Sequence, residues 1–330
     1  MSETALFKSL GHGVLEIPKL FNIEGWVAIV TGGGTGLGLI TATALAENGA
    51  KVYITGRREE PLRAAVEGYE KLGNKGKGSI VAVSADVSYK EGIKKFVEEI
   101  QSKEKWINVL INNHGIFPGA TDINACEQNA EGLSKQMFEG ESFETWCVAD
   151  VWRINTASYH FTTFAFLPLL AAAKTVGGFP EPGNVVNLSS MSGITKTSQR
   201  GQFHYNCGKA ATISLSHQQA LEFARRGLGI RVNVICPGYF PSGMTIIPSE
   251  DNTGSDDHVQ EFTKKWGIPF GRPGNAVDYA QTIFSVITNQ YMTAGEVVVD
   301  GGWLLNSGKS DVQVRVETRM LTAVGNLIAF

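Results

Sequence analysis

From Trp26 onward, short runs of β-branched and apolar residues alternate with longer segments whose apolar positions recur at helical spacing. Seven runs read as strands: WVAIVTG (26–32), KVYITG (51–56), SIVAVSADV (79–87), INVLINN (107–113), GNVVNLSS (183–190), IRVNVICPG (230–238) and EVVVDGG (296–302). Strands covered on both faces read as near-continuous apolar runs, and alternation with helices is the signature of parallel pairing. Helices are expected near 37–48, 59–72, 90–102, 142–173, 205–227 and 275–288. The pattern predicts an α/β fold: one doubly wound, seven-stranded parallel sheet with helices on both faces.

Some segments stand outside the repeat. Residues 1–20 form an N-terminal extension, residues 21–308 the α/β domain, and residues 309–330 a tail with the apolar stretch MLTAVGNLIAF. An exposed stretch of that kind would be sticky, so docking on a neighbouring subunit is the expectation for it. The connections 116–141 and 239–264 are long and follow strand carboxyl ends, where open α/β sheets bind ligands; both are candidate lids, the second over the substrate.

Composition narrows the partners. The formal charge of -3 on 330 residues offers no basic face for nucleic acid, and a small-molecule site is the expectation. Cysteines 126, 147, 207 and 236 show neither C-x-x-C pairing nor zinc-ligand spacing, so no metal site is expected and the thiols read as reduced. No basic region precedes an apolar run at the amino terminus, and the longest apolar stretch, 161–173, is too short to span a bilayer. A soluble, cytoplasmic protein is expected.

The first strand runs into TGGGTGLG, Thr31–Gly38, directly ahead of a helix. Glycines permit a tight turn and close approach of backbone to a pyrophosphate, and the helix amino terminus supplies free N–H groups; a merely strained strand-to-helix turn would look the same. The second strand ends ITGRR, without the carboxylate that ordinarily holds the ribose hydroxyls of NAD. Arg57 and Arg58 are suited to a 2′-phosphate, unless they only open the next helix beside Glu59 and Glu60. The preferred cofactor is therefore NADP(H).

In HYNCGKAA, 204–211, Tyr205 and Lys209 share one helical face at i, i+4. A free tyrosine titrates near about 10, and an adjacent ammonium favours its ionised form; two solvated side chains would share the same spacing. Ser190 in NLSSMSG ends the fifth strand at the same sheet edge, NNHG (112–115) ends the fourth, and Asn155 lies within the helix expected over 142–173.

Taken together, TGGGTGLG, ADV (85–87), NNHG, Asn155 in RINTAS, NLSS, YNCGK and CPG (236–238) resemble the short-chain dehydrogenase/reductase family from about Phe21 to Trp303. PGYFPSGMT (237–245), IPFGRPGN (268–275) and YMTAGEVVVDGG (291–302) are similar to its NADPH-dependent 3-oxoacyl reductases, including the rhamnolipid-pathway type. The resemblance implies a Rossmann-type domain and a homodimer or homotetramer built through the long helix. It further implies reversible reduction of a ketone or 3-oxoacyl group to a secondary alcohol by hydride transfer. An NAD-dependent alcohol or polyol dehydrogenase is the alternative, and a non-catalytic nucleotide sensor a third.

Carried over by motif, Tyr205 is the general acid, Ser190 orients the carbonyl, Lys209 holds the nicotinamide ribose, and Asn155 seats a water leading to Lys209. The implied cofactor contacts are Gly32, Gly36, Leu37, Gly38, Arg57, Arg58, Asp86, Val87, Asn113 with its neighbour Asn112, Pro237, Gly238 and Ser242, besides Tyr205 and Lys209. Two features depart from the family pattern. His114 replaces an alanine, and is expected to be satisfied by backbone hydrogen bonds. Two extra residues separate Ser190 from Tyr205, which leaves Ser192 as an alternative to Ser190. His204 and Cys207 are expected to point away from the Tyr205/Lys209 stripe.

Overall fold

A computed structural model describes residues 13–73, 78–143, 146, 151–242, 263 and 266–306. Seven strands form one all-parallel sheet: β1 (Val27–Thr31), β2 (Lys51–Gly56), β3 (Ser79–Ser84), β4 (Val109–Asn112), β5 (Asn184–Leu188), β6 (Arg231–Pro237) and β7 (Glu296–Val299), in the order β3-β2-β1-β4-β5-β6-β7. Every residue of β1, β4, β5 and β6 is buried, as the continuous apolar runs predict, whereas the edge strands β3 and β7 are largely exposed or half-buried.

The connecting helices are α1 (Gly36–Glu47), α2 (Glu59–Lys71), α3 (Lys90–Lys103), α4 (Ser158–Thr175), α5 (Phe203–Arg225) and α6 (Ala276–Thr288). The strand period of two splits β1 between two cores. Ala28 and Val30 pack with Leu45 of α1, Leu62 of α2 and Ile283 of α6; Val27 and Ile29 pack with Phe96 of α3, Phe166 of α4 and Phe223 of α5. Phe96 and Phe166 meet edge to face at 5.3 Å. Cutting such a fully buried ring back to alanine costs about 3–5 kcal/mol.

Strand order reverses between β1 and β4, whose pairing sets Ala28 beside Val109 and Val30 beside Ile111. Chain paths diverge at that reversal, and the crevice left beyond the strand carboxyl ends is where such sheets bind ligands. Among the described residues no helix is long and apolar enough to cross a membrane, and no group of three or more His, Cys, Asp or Glu side chains could hold a metal ion.

Two expectations need correction and a third gains detail. The segment expected as one α-helix over 142–173 is continuously helical from Val151, but a π-helical turn at Arg153–Ala157 interrupts its α geometry ahead of α4. Asn155 thus sits within the helical segment as expected, but in a widened turn. The connection 116–141, expected only as a long candidate lid, carries local structure: Asn129 caps a helical turn at Ala130–Ser134 by accepting from the Gly132 N–H at 2.7 Å, and a second π turn follows at Lys135–Glu139. Its polar sequence hid a turn carried by a side-chain cap rather than by an apolar face. His114, expected to bond backbone, meets the Ile154 backbone but is held chiefly by side-chain hydroxyls, one at each ring nitrogen. Of the proposed substrate lid only 239–242 and 263 are described; the remainder, and the tail 309–330, lie outside the described residues.

Candidate active site

A cleft of about 850 Å3 follows the carboxyl ends of the central strands. At the tip of β1 the chain turns through Gly32 and Gly36, whose φ angles of 65° and 53° lie in the left-handed region that glycine enters without strain. The Gly32 N–H donates to the Thr55 carbonyl at 2.7 Å, tying the turn to β2. A side chain at Gly38 would stand 2.2 Å from the Gly32 carbonyl oxygen, so α1 approaches the turn as closely as a glycine permits. Thr35, the residue ahead of α1, makes no side-chain cap, and the first-turn amides keep their donors towards the cleft.

Gly32, Gly36, Leu37, Arg57, Arg58, Asp86, Val87, Asn113, Pro237, Gly238 and Ser242 line this cleft. Gly38 does not; it makes room for the turn behind the wall. Asn112 is fully buried, donating to Thr163 Oγ1 at 3.0 Å and Asn187 Oδ1 at 2.8 Å, and stands off the cleft. Its neighbour Asn113 reaches the wall, donating through Nδ2 to the Thr31 and Gly32 carbonyls. Beyond β2, Arg57 and Arg58 are exposed and neither is held by an ion pair or hydrogen bond among the described residues. Asp86 Oδ1 accepts from both the Ser88 amide and the Ser88 hydroxyl. Uncapped amides, a glycine cradle and two unpaired guanidiniums along one cleft fit a phosphorylated dinucleotide.

Ser190, Tyr205 and Lys209 meet further along the same wall. Ser190, two residues past β5, has extended backbone and caps the turn Met191–Gly193, its Oγ accepting from the Ser192 amide at 3.1 Å. Tyr205 lies in the first turn of α5, half-buried, with Phe117 edge-on to its ring at 5.3 Å. Burial pushes its phenol up to about 12, against a hydrogen bond with Ser190 that works downward. Lys209, one turn on, is buried; its Nζ donates to the Leu188 carbonyl at 2.8 Å and lies 5.9 Å from the Tyr205 ring centre. Burial lowers its ammonium to about 8.

Ser192 also lines the cleft, but Ser190 is the serine that bonds Tyr205. Asn155 is fully buried off the cleft wall: Oδ1 accepts from the Ile116 N–H and Nδ2 donates to the Ile116 carbonyl, both at 2.9 Å, and its own carbonyl accepts from Thr212 Oγ1 at 2.8 Å. His204 is buried beside Trp146, Cys207 is exposed, and neither lines the cleft.

At the far end of the cleft stand Phe117, Asp122 and Tyr239, from the two connections expected as lids, together with Gln199, Arg200, Gln202 and Trp266, which sequence reasoning missed. Gln199 and Arg200 carry φ angles of 50° and 71°, left-handed without being glycine, so no residue type announced the bend. Backbone and ion-pair contacts hold it: the Ile123 N–H donates to the Arg200 carbonyl at 3.3 Å and Arg200 Nη2 meets Asp122 Oδ2 at 2.7 Å.

Residues 26–252 match the family profile of the short chain dehydrogenases. The short-chain dehydrogenase/reductase PhomF of Diaporthe leptostromiformis is 32% identical over 290 residues, covering 86% of this chain and 93% of that protein. The rhamnolipids biosynthesis 3-oxoacyl-(acyl-carrier-protein) reductase of Pseudomonas aeruginosa is 29% identical over 286 residues, covering 86% and 98%. A solved RhlG/NADP active-site complex from Pseudomonas aeruginosa superposes with a TM-score of 0.69 at 27% identity, covering 86% of this chain and 98% of its own.

Proposed function

The chain belongs to the short-chain dehydrogenase/reductase family of oxidoreductases, and on that premise we propose that it is an NADPH-dependent carbonyl reductase producing a secondary alcohol. The observation that carries the reading is the convergence of Ser190, Tyr205 and Lys209 on the cleft that the glycine-rich turn opens. A relative described as a 3-oxoacyl reductase and a neighbour described as an NADP complex support the same direction.

The glycine turn and α1 amides would hold the pyrophosphate, Arg57 and Arg58 the 2′-phosphate, and Lys209 the nicotinamide ribose, for which its ammonium keeps donors beyond the one given to Leu188. When bound, the reduced nicotinamide supplies the hydride. With its phenol held near 12, Tyr205 is protonated at neutral pH and donates that proton to the carbonyl oxygen as the carbon receives the hydride. Ser190 bonds the same oxygen and keeps it within reach of Tyr205. The Lys209 ammonium favours the tyrosinate left behind until solvent returns a proton. Phe117 covers the edge of the Tyr205 ring and limits water there. Exposed Phe161 and Phe164 on α4 and Leu221 on α5 support a homo-oligomer joined through these helices.

The test is a panel of ketones, 3-oxoacyl thioesters and sugar ketones assayed by NADPH consumption. Turnover of at least one class is expected, with Tyr205→Phe losing about 100-fold or more in kcat while NADPH still binds. A Tyr205→Phe protein of undiminished activity would refute the assignment, and strict preference for NADH would replace the cofactor reading.

A further inference from the structure

His114 stands at the tip of β4, where the family pattern has alanine, and its ring is bonded at both nitrogens: Nδ1 to Thr31 Oγ1 at 2.7 Å and Nε2 to Ser158 Oγ at 2.6 Å. The protons can be placed by counting donors. Ser158 Oγ donates to the Ile154 carbonyl at 2.7 Å, and a carbonyl only accepts, so the single hydroxyl proton is spent there. Ser158 must then receive its second bond from a protonated Nε2. Nδ1 is left bare and accepts the Thr31 hydroxyl, which lies 2.7 Å away against 3.3 Å to its other acceptor, the Ile111 carbonyl. The ring is one neutral tautomer in a directed chain from Thr31 through His114 and Ser158 to Ile154.

That chain joins three parts of the cleft. Thr31 ends β1 at the glycine turn and also accepts the Asn113 N–H at 3.0 Å. Ser158 opens α4, and Ile154 belongs to the π turn that carries Asn155. The His114 carbonyl accepts from Tyr159 Oη at 2.6 Å, and the two rings meet edge to face at 4.9 Å. Immediately beyond His114, a side chain at Gly115 would fall 3.1 Å from Asn155 Oδ1 and 3.7 Å from Lys209 Nζ, and Ile116 holds both ends of the Asn155 carboxamide. Wherever His114 sets the tip of β4, Asn155 and the wall beside Lys209 follow.

We propose that His114 is a positioning residue, whose doubly bonded imidazole fixes the glycine turn against the π turn and so fixes Asn155 and the surroundings of the Lys209 ammonium. An alanine cannot bridge that gap. Burial lowers the pKa of the ring to about 3, with the Lys209 and Arg57 charges acting in the same direction and Asp86 and a backbone hydrogen bond with Ile154 opposing them. The bridge is therefore neutral throughout the working range, and its two bonds do not invert with pH.

The inference rests on the hydride-transfer reading only for its kinetic readout, so one measurement is independent of turnover. Imidazole 15N signals of the full chain should show His114 as the Nε2–H tautomer without titration between about pH 5 and 9; titration near the ordinary value of about 6.5, or the opposite tautomer, overturns the proposal. For the kinetic arm, His114→Ala should lower kcat about 10- to 100-fold and move the alkaline limb of the kcat profile upward by about a pH unit, as water reaches Lys209. His114→Gln, which also offers one acceptor and one donor, should recover part of the loss. Ser158→Ala, which removes one of the two bonds, carries the same test if His114→Ala does not fold. A destabilised variant that keeps the wild-type kcat and the wild-type limb shows a merely structural ring and overturns the proposal. A wild-type protein that reduces no carbonyl sinks the functional reading, while the tautomer measurement still decides this one.

Discussion

Removing Arg57 should weaken NADPH and leave NADH nearly untouched. The strand β2 ends at Gly56, and the next two side chains are the exposed, unpaired guanidiniums of Arg57 and Arg58 on the cleft rim. The nearest carboxylates along the chain, Glu59 and Glu60, lie in the first turn of α2, where the helix dipole holds them favourably. A hydrogen bond to a charged partner contributes about 1.5–3 kcal/mol when shielded and an exposed ion pair about 0.2–1 kcal/mol. A rim site lies between, at about 1–2 kcal/mol for each arginine, so Arg57→Ala should raise the dissociation constant for NADPH about 5- to 30-fold. The double variant with Arg58→Ala should lose about 2–3 kcal/mol, roughly 30- to 150-fold. Fluorescence titration of both nucleotides measures the loss directly. The NADPH advantage of the wild type should also shrink as salt is raised, because both charges face solvent. Equal weakening of NADPH and NADH would show that the arginines steady the turn rather than read the phosphate.

Three further outcomes follow from named contacts. Gly38→Ala drives a methyl to within 2.2 Å of the Gly32 carbonyl oxygen, which is backbone and cannot swing aside; a loss of about 1–3 kcal/mol is expected, read as a lower Tm together with weaker dinucleotide binding. Lys209 is an ammonium below its depressed value of about 8 and loses its charge as pH rises through it, so kcat for reduction should fall on that alkaline side, and Lys209→Met should have low activity without that limb; a wild-type limb near 10 would place the titration elsewhere. Asp122→Asn breaks the 2.7 Å pair with Arg200 at the far end of the cleft and should raise the substrate KM about 2- to 5-fold while leaving NADPH affinity unchanged; steady-state kinetics with each substrate varied in turn separates the two.

The sheet was legible because its evidence is local. Each strand is an apolar run of a few residues, and each of the helices α2, α3 and α6 shows its buried face at three- and four-residue spacing, as Ile93, Phe96, Val97 and Ile100 do in α3. The cofactor half of the cleft was legible for the same reason: glycines and arginines at strand tips mark where backbone must turn and charge must stand. Asn112 and Asn113 show the limit of that reasoning. Adjacent residues at a strand end face opposite ways, and the register of β4 on β5 sets Asn112 beside Asn187, a pairing that only the sheet order reveals. The π turn at Arg153–Ala157 was illegible because it differs from an α turn by a one-residue slip within five residues, too short for apolar spacing to register.

His114 carries this furthest. A histidine among NNHG, taken with its sequence neighbours, has only backbone to bond, and backbone bonds were expected. Its partners are Thr31 and Ser158, 83 and 44 residues away in the chain, and both are small hydroxyl side chains that sequence reading leaves without a role. The three residues make sense only as a set. An imidazole there needs a donor at Nδ1 and an acceptor at Nε2, and valine at 31 or alanine at 158 would leave a half-buried ring nitrogen without its partner, at a cost of about 1 kcal/mol. Replacing His114 with alanine in turn leaves Ser158 and Thr31 each short of a partner. The substitution at the tip of β4 is therefore tied to the residues at the tip of β1 and the start of α4, and the energetic coupling between His114→Ala and Ser158→Ala, read as their failure to add, measures how tightly.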